Sequence, residues 1–328
     1  MATRLNAPGT AAMTSLFGCD PATYQPHPLH AHDRVYPETN CYMDVLIELL
    51  HARGDEPLAA MGFIARMDFE GDQWTFFKPP PEDLETLFGV DIHEMQPYRS
   101  IPDQIAEQLE HGRTIIVELD AWHLPDTAAT SYHAEHVKTS VAVEAIDRQG
   151  ERLRYFHNRS LHELAGDDYR GVFGLAGPRS AEILPPYTEL VRFDAGARLQ
   201  GPQLRDEARR LLIRHRDRRP AGNPFERFAA RLTRDLPDLI EGDDANYHAY
   251  AFATVRMAGA AYELFTSHLE WLLDEEAAPA AVALGEIVSG CTTLSLKLAR
   301  RRAFDPEPTL RSLEAAWERA LAAVDAIA

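Results

Sequence analysis

Near residue 200 the chain changes character, and this break constrains the fold more than any other feature. Before it, apolar runs are short and bounded by turn residues. After it, long stretches of Ala, Leu, Arg and Glu run between Pro220, Pro224, Pro279 and Pro308. Short bounded runs suit strands, and long uninterrupted ones suit helices. A boundary at 200/201 follows, with domains 1–200 and 201–328. The 328 residues are ample for two hydrophobic cores.

In the first part, Thr114–Leu119, Val137–Ile146 and Leu153–Phe156 read as strands. Asp147-Arg148-Gln149-Gly150 between the last two is a hairpin turn. Cys41–Arg53 places Val45, Leu46, Leu49 and Leu50 on one helical face. Asn40 before it is a good N-cap, and Gly54 after it is a stop. Two shorter helices fit Pro81–Phe88 and Ile101–Glu110. The first domain is therefore expected to be α+β. In the second part, Asn246–Leu273, Ala280–Arg302 and Leu310–Ile327 suit long helices, and a bundle of four to six is expected.

The net charge is −18, so a general affinity for nucleic acid or an anionic membrane is not expected. Residues 201–234 break this pattern. They hold ten arginines against four acids, a local net charge of +6. Arg209, Arg210 and Arg214 lie in that stripe and are candidates for docking an acidic partner or a phosphate. An internally paired helix face would look the same. The three cysteines, Cys19, Cys41 and Cys291, are widely spaced and form no CxxC. Disulfides and zinc–thiolate sites are not expected, and a cytoplasmic setting fits. No uninterrupted apolar run has the length of a membrane span.

Cys41 is the candidate nucleophile. A thiol at a helix N-terminus feels the positive end of the helix dipole, which favours the thiolate. Such a cysteine can also be purely structural. His136 directly precedes the strand beginning at Val137, so a sheet edge would hold it rigidly as a general base. Asn158 follows the next strand and could orient the imidazole. His133 is an alternative base, Asp147 an alternative orienting group, Asn40 a candidate oxyanion donor and Asp120 a further candidate site residue. Trp74, Phe76, Phe77 and Trp122 could wall the site or belong to the core. His27, His30, His32 and Asp33 form HxxHxHD, and Asp68, Glu70 and Asp72 form DxExD. Neither has the spacing of a strong metal motif, and no metal is expected. GxGxxG, Walker A, HExxH and GxSxG are absent.

The stretches ETNCYMDVLIELLHARGDEP (38–57), DFEGDQWTFFKPPPEDLETLFGV (68–90), VELDAWHLPDT (117–127), SYHAEHVKTSVAVEAID (131–147) and YFHNRSLHEL (155–164) resemble a bacterial family, domain of unknown function 1839. AYAFATVRMAGAAYELFTSHLEWL (249–272) extends the likeness to the second part. More remotely, the first domain resembles the papain-like N-terminal domain of the butirosin biosynthesis acyltransferase BtrH. The shared outline is a Cys opening a helix, Asp120-x-x-x-Leu-Pro125, a His opening a strand, and an acid or amide after the next strand. In that pattern the last position is often Asp, where this chain has Asn158.

The resemblance implies a papain-like cysteine fold followed by an all-α domain. It also implies acyl or aminoacyl transfer from the phosphopantetheine arm of a carrier protein to an amine or hydroxyl acceptor, through an acyl-Cys41 intermediate. No cofactor beyond that arm is implied. The partners would be a loaded carrier protein and a small-molecule acceptor. A papain-like peptidase or amidase, and a non-catalytic binding or scaffold protein, are the alternatives.

Overall fold

A computed structural model describes residues 13–175 and 185–327. In chain order the first elements are β1 (Thr14–Ser15), α1 (Cys41–Arg53), β2 (Phe69–Glu70), β3 (Gln73–Trp74), α2 (Pro81–Phe88), β4 (Asp91–Met95) and α3 (Ile101–Glu110). There follow β5 (Thr114–Asp120), β6 (Lys138–Asp147), β7 (Arg152–His157), β8 (Ser160–Ala165), α4 (Asp167–Val172) and β9 (Thr188–Arg192). The remainder is α5 (Gly201–Arg216), α6 (Pro224–Glu241), α7 (Asp244–Ala251), α8 (Met257–Leu273), α9 (Ala278–Ala299) and α10 (Glu307–Asp325).

The chain divides into two compact units that interleave in sequence. The first holds 1–27, 44–55 and 89–196; the second holds 28–43, 56–88 and 197–328. The last crossing between the units falls at 196/197. The helical unit, however, also takes two segments from the first 90 residues.

The first unit is built on a seven-stranded antiparallel sheet of order β4-β9-β5-β6-β7-β8, with β1 also paired to β6. The three expected strands became β5, β6 and β7. The strands β4, β8 and β9 were not foreseen. All but the end residues of β6 are buried, as befits a central strand covered on both faces. On one face, Ile105, Ala106 and Leu109 of α3 join Ile115, Val117, Val141, Val143, Leu153 and Tyr155 in one core. Truncating Ile105 or Leu109 to alanine in such packing costs about 2–5 kcal/mol. Gly112, at φ +68, closes α3 in the left-handed conformation that glycine tolerates.

Two buried glutamates fasten residues 15–27 to this unit. Glu144 Oε1 accepts from the Ser15 hydroxyl (2.8 Å) and from the Phe17 and Cys19 backbone N–H groups (3.0 Å each). Glu48 accepts from the Tyr24 hydroxyl (2.5 Å) and the His27 N–H (3.0 Å). A buried carboxylate is tolerated only with such partners.

The second unit is helical apart from the β2–β3 hairpin. A 3₁₀ run, Pro57–Arg66, packs against α5 and α8. Gly62 allows the contact with α5, since a Cβ there would stand 3.2 Å from Leu212 Cα. Six α-helices among the described residues from 201 onward meet the expected bundle. The expected helix 246–273 is interrupted by a π turn, Phe252–Arg256. The helical run Asp244–Ala299 is long and apolar enough over 18 residues to cross a membrane by composition. Charged residues such as Arg256, Glu263 and Glu286 interrupt it, so it does not read as one uninterrupted apolar run. Leu264, Phe265, Leu269, Leu284, Ile287 and Leu294 within it are buried in the unit.

Candidate functional site

The strands β5 and β6 pair with Asp120 opposite Lys138, so the chain leaves β5 and returns to β6 at one sheet end. The connection begins with a 3₁₀ turn, Ala121–His123. Asp120 caps that turn: Oδ1 accepts the Trp122 N–H at 3.0 Å. Its other oxygen, Oδ2, lies 2.6 Å from His136 Nδ1. A carboxylate can only accept, so Nδ1 carries the proton of this bond, and in the neutral imidazole Nε2 is the nitrogen with the free lone pair. The Trp122 ring stacks on His136 at 4.5 Å and 13°. The imidazole is therefore fixed in tautomer and in plane, yet its side chain stays 70% exposed. This is the geometry of an oriented general base.

A second Asp–His pair lies within the same unit. His157 Nδ1 meets Asp126 Oδ2 at 2.6 Å, and His157 Nε2 meets the Thr139 hydroxyl at 2.8 Å. Tyr155 donates its hydroxyl to Asp126 Oδ1 at 2.6 Å. The His157 and Asp126 side chains are only 2% and 5% exposed. Burial pushes the Asp126 carboxyl up. The bond and charge of His157, with His162 and Tyr155, more than offset this and hold it below the usual carboxylate range. The Tyr155 hydroxyl is pushed upward, first by burial and then by Asp126. Both ring nitrogens of His157 are engaged, so this pair serves structure.

The other candidates fall as follows. Asn158, expected to hold His136, does not: Asp120 takes that bond. Asn158 sits in the tight β7–β8 turn at φ +49, a left-handed conformation that Asn tolerates better than most residues. The register Ala142↔Phe156 sets Asn158 level with Ser140, four residues from His136, roughly 13 Å along the strand. Asp147 lies at the far end of β6 and accepts from the Gln149 and Gly150 N–H groups in the hairpin turn. His133 Nε2 lies 3.4 Å from Asp168 Oδ1.

Cys41 opens α1 as expected, and it belongs to the second unit. Asn40 caps the helix: its Oδ1 accepts the Met43 N–H at 2.8 Å, and its Nδ2 donates to the Phe77 carbonyl at 2.9 Å. Its carboxamide is thus committed at both ends to the cap, which explains the residue without an oxyanion role. The thiols of Cys19 and Cys291 are both held in the protonated form. Burial and then Glu144 raise Cys19, and burial alone pushes Cys291 up to about 12. Cys41, the sequence-predicted nucleophile, is partly exposed at a capped helix start.

Residues 25–193 match the DUF1839 N-terminal domain, and residues 201–326 match the DUF1839 C-terminal domain. The chain belongs to the DUF1839 family. A comparison with curated proteins found no match.

The arginine stripe of this DUF1839 protein is extensively paired within the helical unit. Arg214 bonds the buried carboxylate of Asp83, whose other oxygen lies 2.6 Å from His215 Nε2. Arg210 pairs with Glu207, Arg219 with Asp325, Arg227 with Asp68 and Arg231 with Asp235. Arg214 is therefore a buried-pair residue and not part of an open docking face. The DxExD cluster is explained by the same pairs, because Asp68 meets Arg227 and Asp72 lies 3.9 Å from Arg231. Trp74 and Phe77 are core residues, while Phe76 is exposed. In HxxHxHD, His27 packs edge-on to His51 at 5.1 Å in the first unit, and His30 and His32 belong to the second.

Sequence reasoning missed two features. The Asp126–His157 network spans the connection after β5 and the strand β7, and no local spacing announces it. The second is a convergence of His123, His133 and Asp168, whose ligand atoms all lie within 4.8 Å of one another. The helical unit also holds a cavity of about 480 Å³ beside the π turn, lined by Tyr36, Tyr247, Phe252, Arg256, Thr292 and Leu296 among others.

Proposed function

We propose that this DUF1839 protein is a cysteine-dependent acyl or aminoacyl transferase of papain-like plan, with Cys41 as nucleophile and His136 as general base. The observation that carries the reading is the 2.6 Å bond from His136 Nδ1 to Asp120, which leaves Nε2 as a solvent-facing base. The capped, partly exposed start of α1 supports Cys41. Asp120 acts through His136 and is a positioning residue.

In this reading His136 takes the Cys41 proton, and Sγ attacks the thioester carbonyl of a loaded carrier. The tetrahedral oxyanion collapses, the carbon–sulfur bond to the pantetheine breaks, and its thiolate leaves with the proton from His136. An amine or hydroxyl acceptor then attacks acyl-Cys41. It gives its proton to His136, and the Cys41 thiolate is released. One thioester replaces another in the first step, so little driving force is needed. The carrier would be met on α5 through Arg209 and Arg210, without Arg214.

The test is intact-mass spectrometry after mixing the protein with acyl- or aminoacyl-loaded carrier protein, beside Cys41→Ala. An added acyl mass on the wild type alone supports the reading. Hydrolysis of amide or peptide substrates with no carrier-derived adduct would support the peptidase alternative. Neither adduct nor turnover would leave a binding protein.

A further inference from the structure

We propose that His123, His133 and Asp168 form a binding site for a first-row divalent transition-metal ion, with zinc the preferred occupant. The site is separate from the acyl-transfer reading and does not depend on it. It also departs from the sequence-based expectation that the chain holds no metal.

Three elements build the site. The 3₁₀ turn after β5 carries His123, the loop before β6 carries His133, and α4 carries Asp168. The ligand atoms of the three side chains lie within 4.8 Å of one another. Zinc–nitrogen and zinc–oxygen bonds are about 2.0–2.2 Å long, so ligand atoms around one ion sit roughly 3–3.5 Å apart. Small rotamer adjustments close the remaining gap. His133 Nε2 and Asp168 Oδ1 already stand at 3.4 Å. Two imidazoles and a carboxylate suit zinc and its neighbours better than magnesium or calcium, which prefer oxygen alone. Three protein ligands leave at least one coordination position open.

The surroundings look made for holding these side chains. Gly171 follows Asp168 by three residues on α4, the spacing of one helix face. A Cβ at 171 would stand 2.3 Å from His123 Cε1, so this glycine is what lets the ring lie against α4. The Tyr132 hydroxyl donates to Asp168 Oδ2 at 2.9 Å, leaving Oδ1 toward His133. A ligating carboxylate with its second oxygen bonded is the usual supporting shell of a metal site. His133 adopts φ +52, unusual for a residue other than glycine, and its N–H donates to the Trp122 carbonyl at 3.1 Å. Its ring stacks on Tyr132 at 4.0 Å and 20°. Backbone strain of this kind costs about 1–3 kcal/mol and tends to persist where a site uses it.

The experiment is zinc titration of the metal-stripped full chain by calorimetry, with metal content read by elemental mass spectrometry after desalting. Wild type is compared with His123→Ala, Asp168→Asn and Tyr132→Phe. The triple variant His27→Ala, His30→Ala, His32→Ala removes the other histidine cluster and serves as the control. Thermal melts in excess chelator confirm that each variant is folded. Cobalt(II) absorption in the visible gives an independent signature of nitrogen and oxygen coordination. We expect one zinc per chain, binding weakened more than about 100-fold by His123→Ala or Asp168→Asn, and about tenfold by Tyr132→Phe. The control variant should bind as wild type does. Binding unchanged in both ligand variants, binding lost in the control, or no stoichiometric zinc in the wild type would each overturn the site. If His123→Ala fails to fold, Asp168→Asn and the cobalt spectrum still decide.

Discussion

The first unit contains two Asp–His pairs with the same 2.6 Å Nδ1–Oδ2 geometry, and they differ in what meets the opposite ring nitrogen. At His157 it is the Thr139 hydroxyl, in a core where Tyr155 completes the network. At His136 it is solvent, over the face of Trp122, with the side chain 70% exposed. Identical local bonding therefore sits in opposite surroundings, one closed and one open to solvent. A buried pair with every polar atom engaged holds the sheet end together, and removing one partner strands a charge. An exposed pair adds little to stability, because water screens it. Its geometry is instead useful for moving a proton. The lesson is that an Asp–His bond is read by its far side.

Several substitutions would break or sharpen this contrast. The largest effect is expected for Cys41→Ala, which should abolish acyl-adduct formation in intact-mass spectra while leaving the melting temperature near that of wild type. Asp120→Asn should slow transfer by about 10³-fold, because the wrong tautomer is then favoured at His136. Single-turnover rates would show this, and a change under threefold would remove Asp120 from its positioning role. Asp126→Ala should leave the chemistry intact in the folded protein but cost about 3–5 kcal/mol in urea unfolding. A loss below 1 kcal/mol would put the two pairs on the same footing.

A smaller effect belongs to the helical unit. His268 is fully buried, its Nδ1 donates to the Leu58 carbonyl at 2.7 Å, and burial lowers its pKa to about 4. In the unfolded chain the imidazole titrates near its usual 6.5. The unfolded state thus binds the proton first, so stability is full above about 6.5 and falls as pH drops toward 4. The loss amounts to about 3 kcal/mol. Calorimetric melts between pH 7.5 and 4.5 should show it, and His268→Gln should flatten that slope.

Local pattern revealed much of this molecule. The Cys41–Arg53 helix, its Asn40 cap and the core strands β5 to β7 were legible, because cap chemistry and short bounded apolar runs act within a few residues. The preference for His136 over His133 as candidate base rested on its place just before β6 and on the family-like stretch that follows it. What the sequence hid is non-local. Asp120 was a secondary candidate, but its bond to His136 arises only because β5 and β6 pair in one register, and the tight β7–β8 turn claims Asn158 for its backbone. Arg214 looked like an open cation until Asp83, far away in sequence, was seen to hold it. The segments 28–43 and 56–88 join the helical unit, although nothing in their composition separates them from their neighbours.

The contrast between the two pairs is tested most directly by making His136→Ala and His157→Ala and measuring two quantities on each. These are acyl-Cys41 formation from a loaded carrier and the midpoint of urea unfolding. We expect His136→Ala to lose adduct formation by about 10²-fold or more at an unchanged midpoint, and His157→Ala to lose stability first. Undiminished adduct formation in His136→Ala, or a midpoint that falls as far as that of His157→Ala, would contradict the assignment of the exposed pair to catalysis.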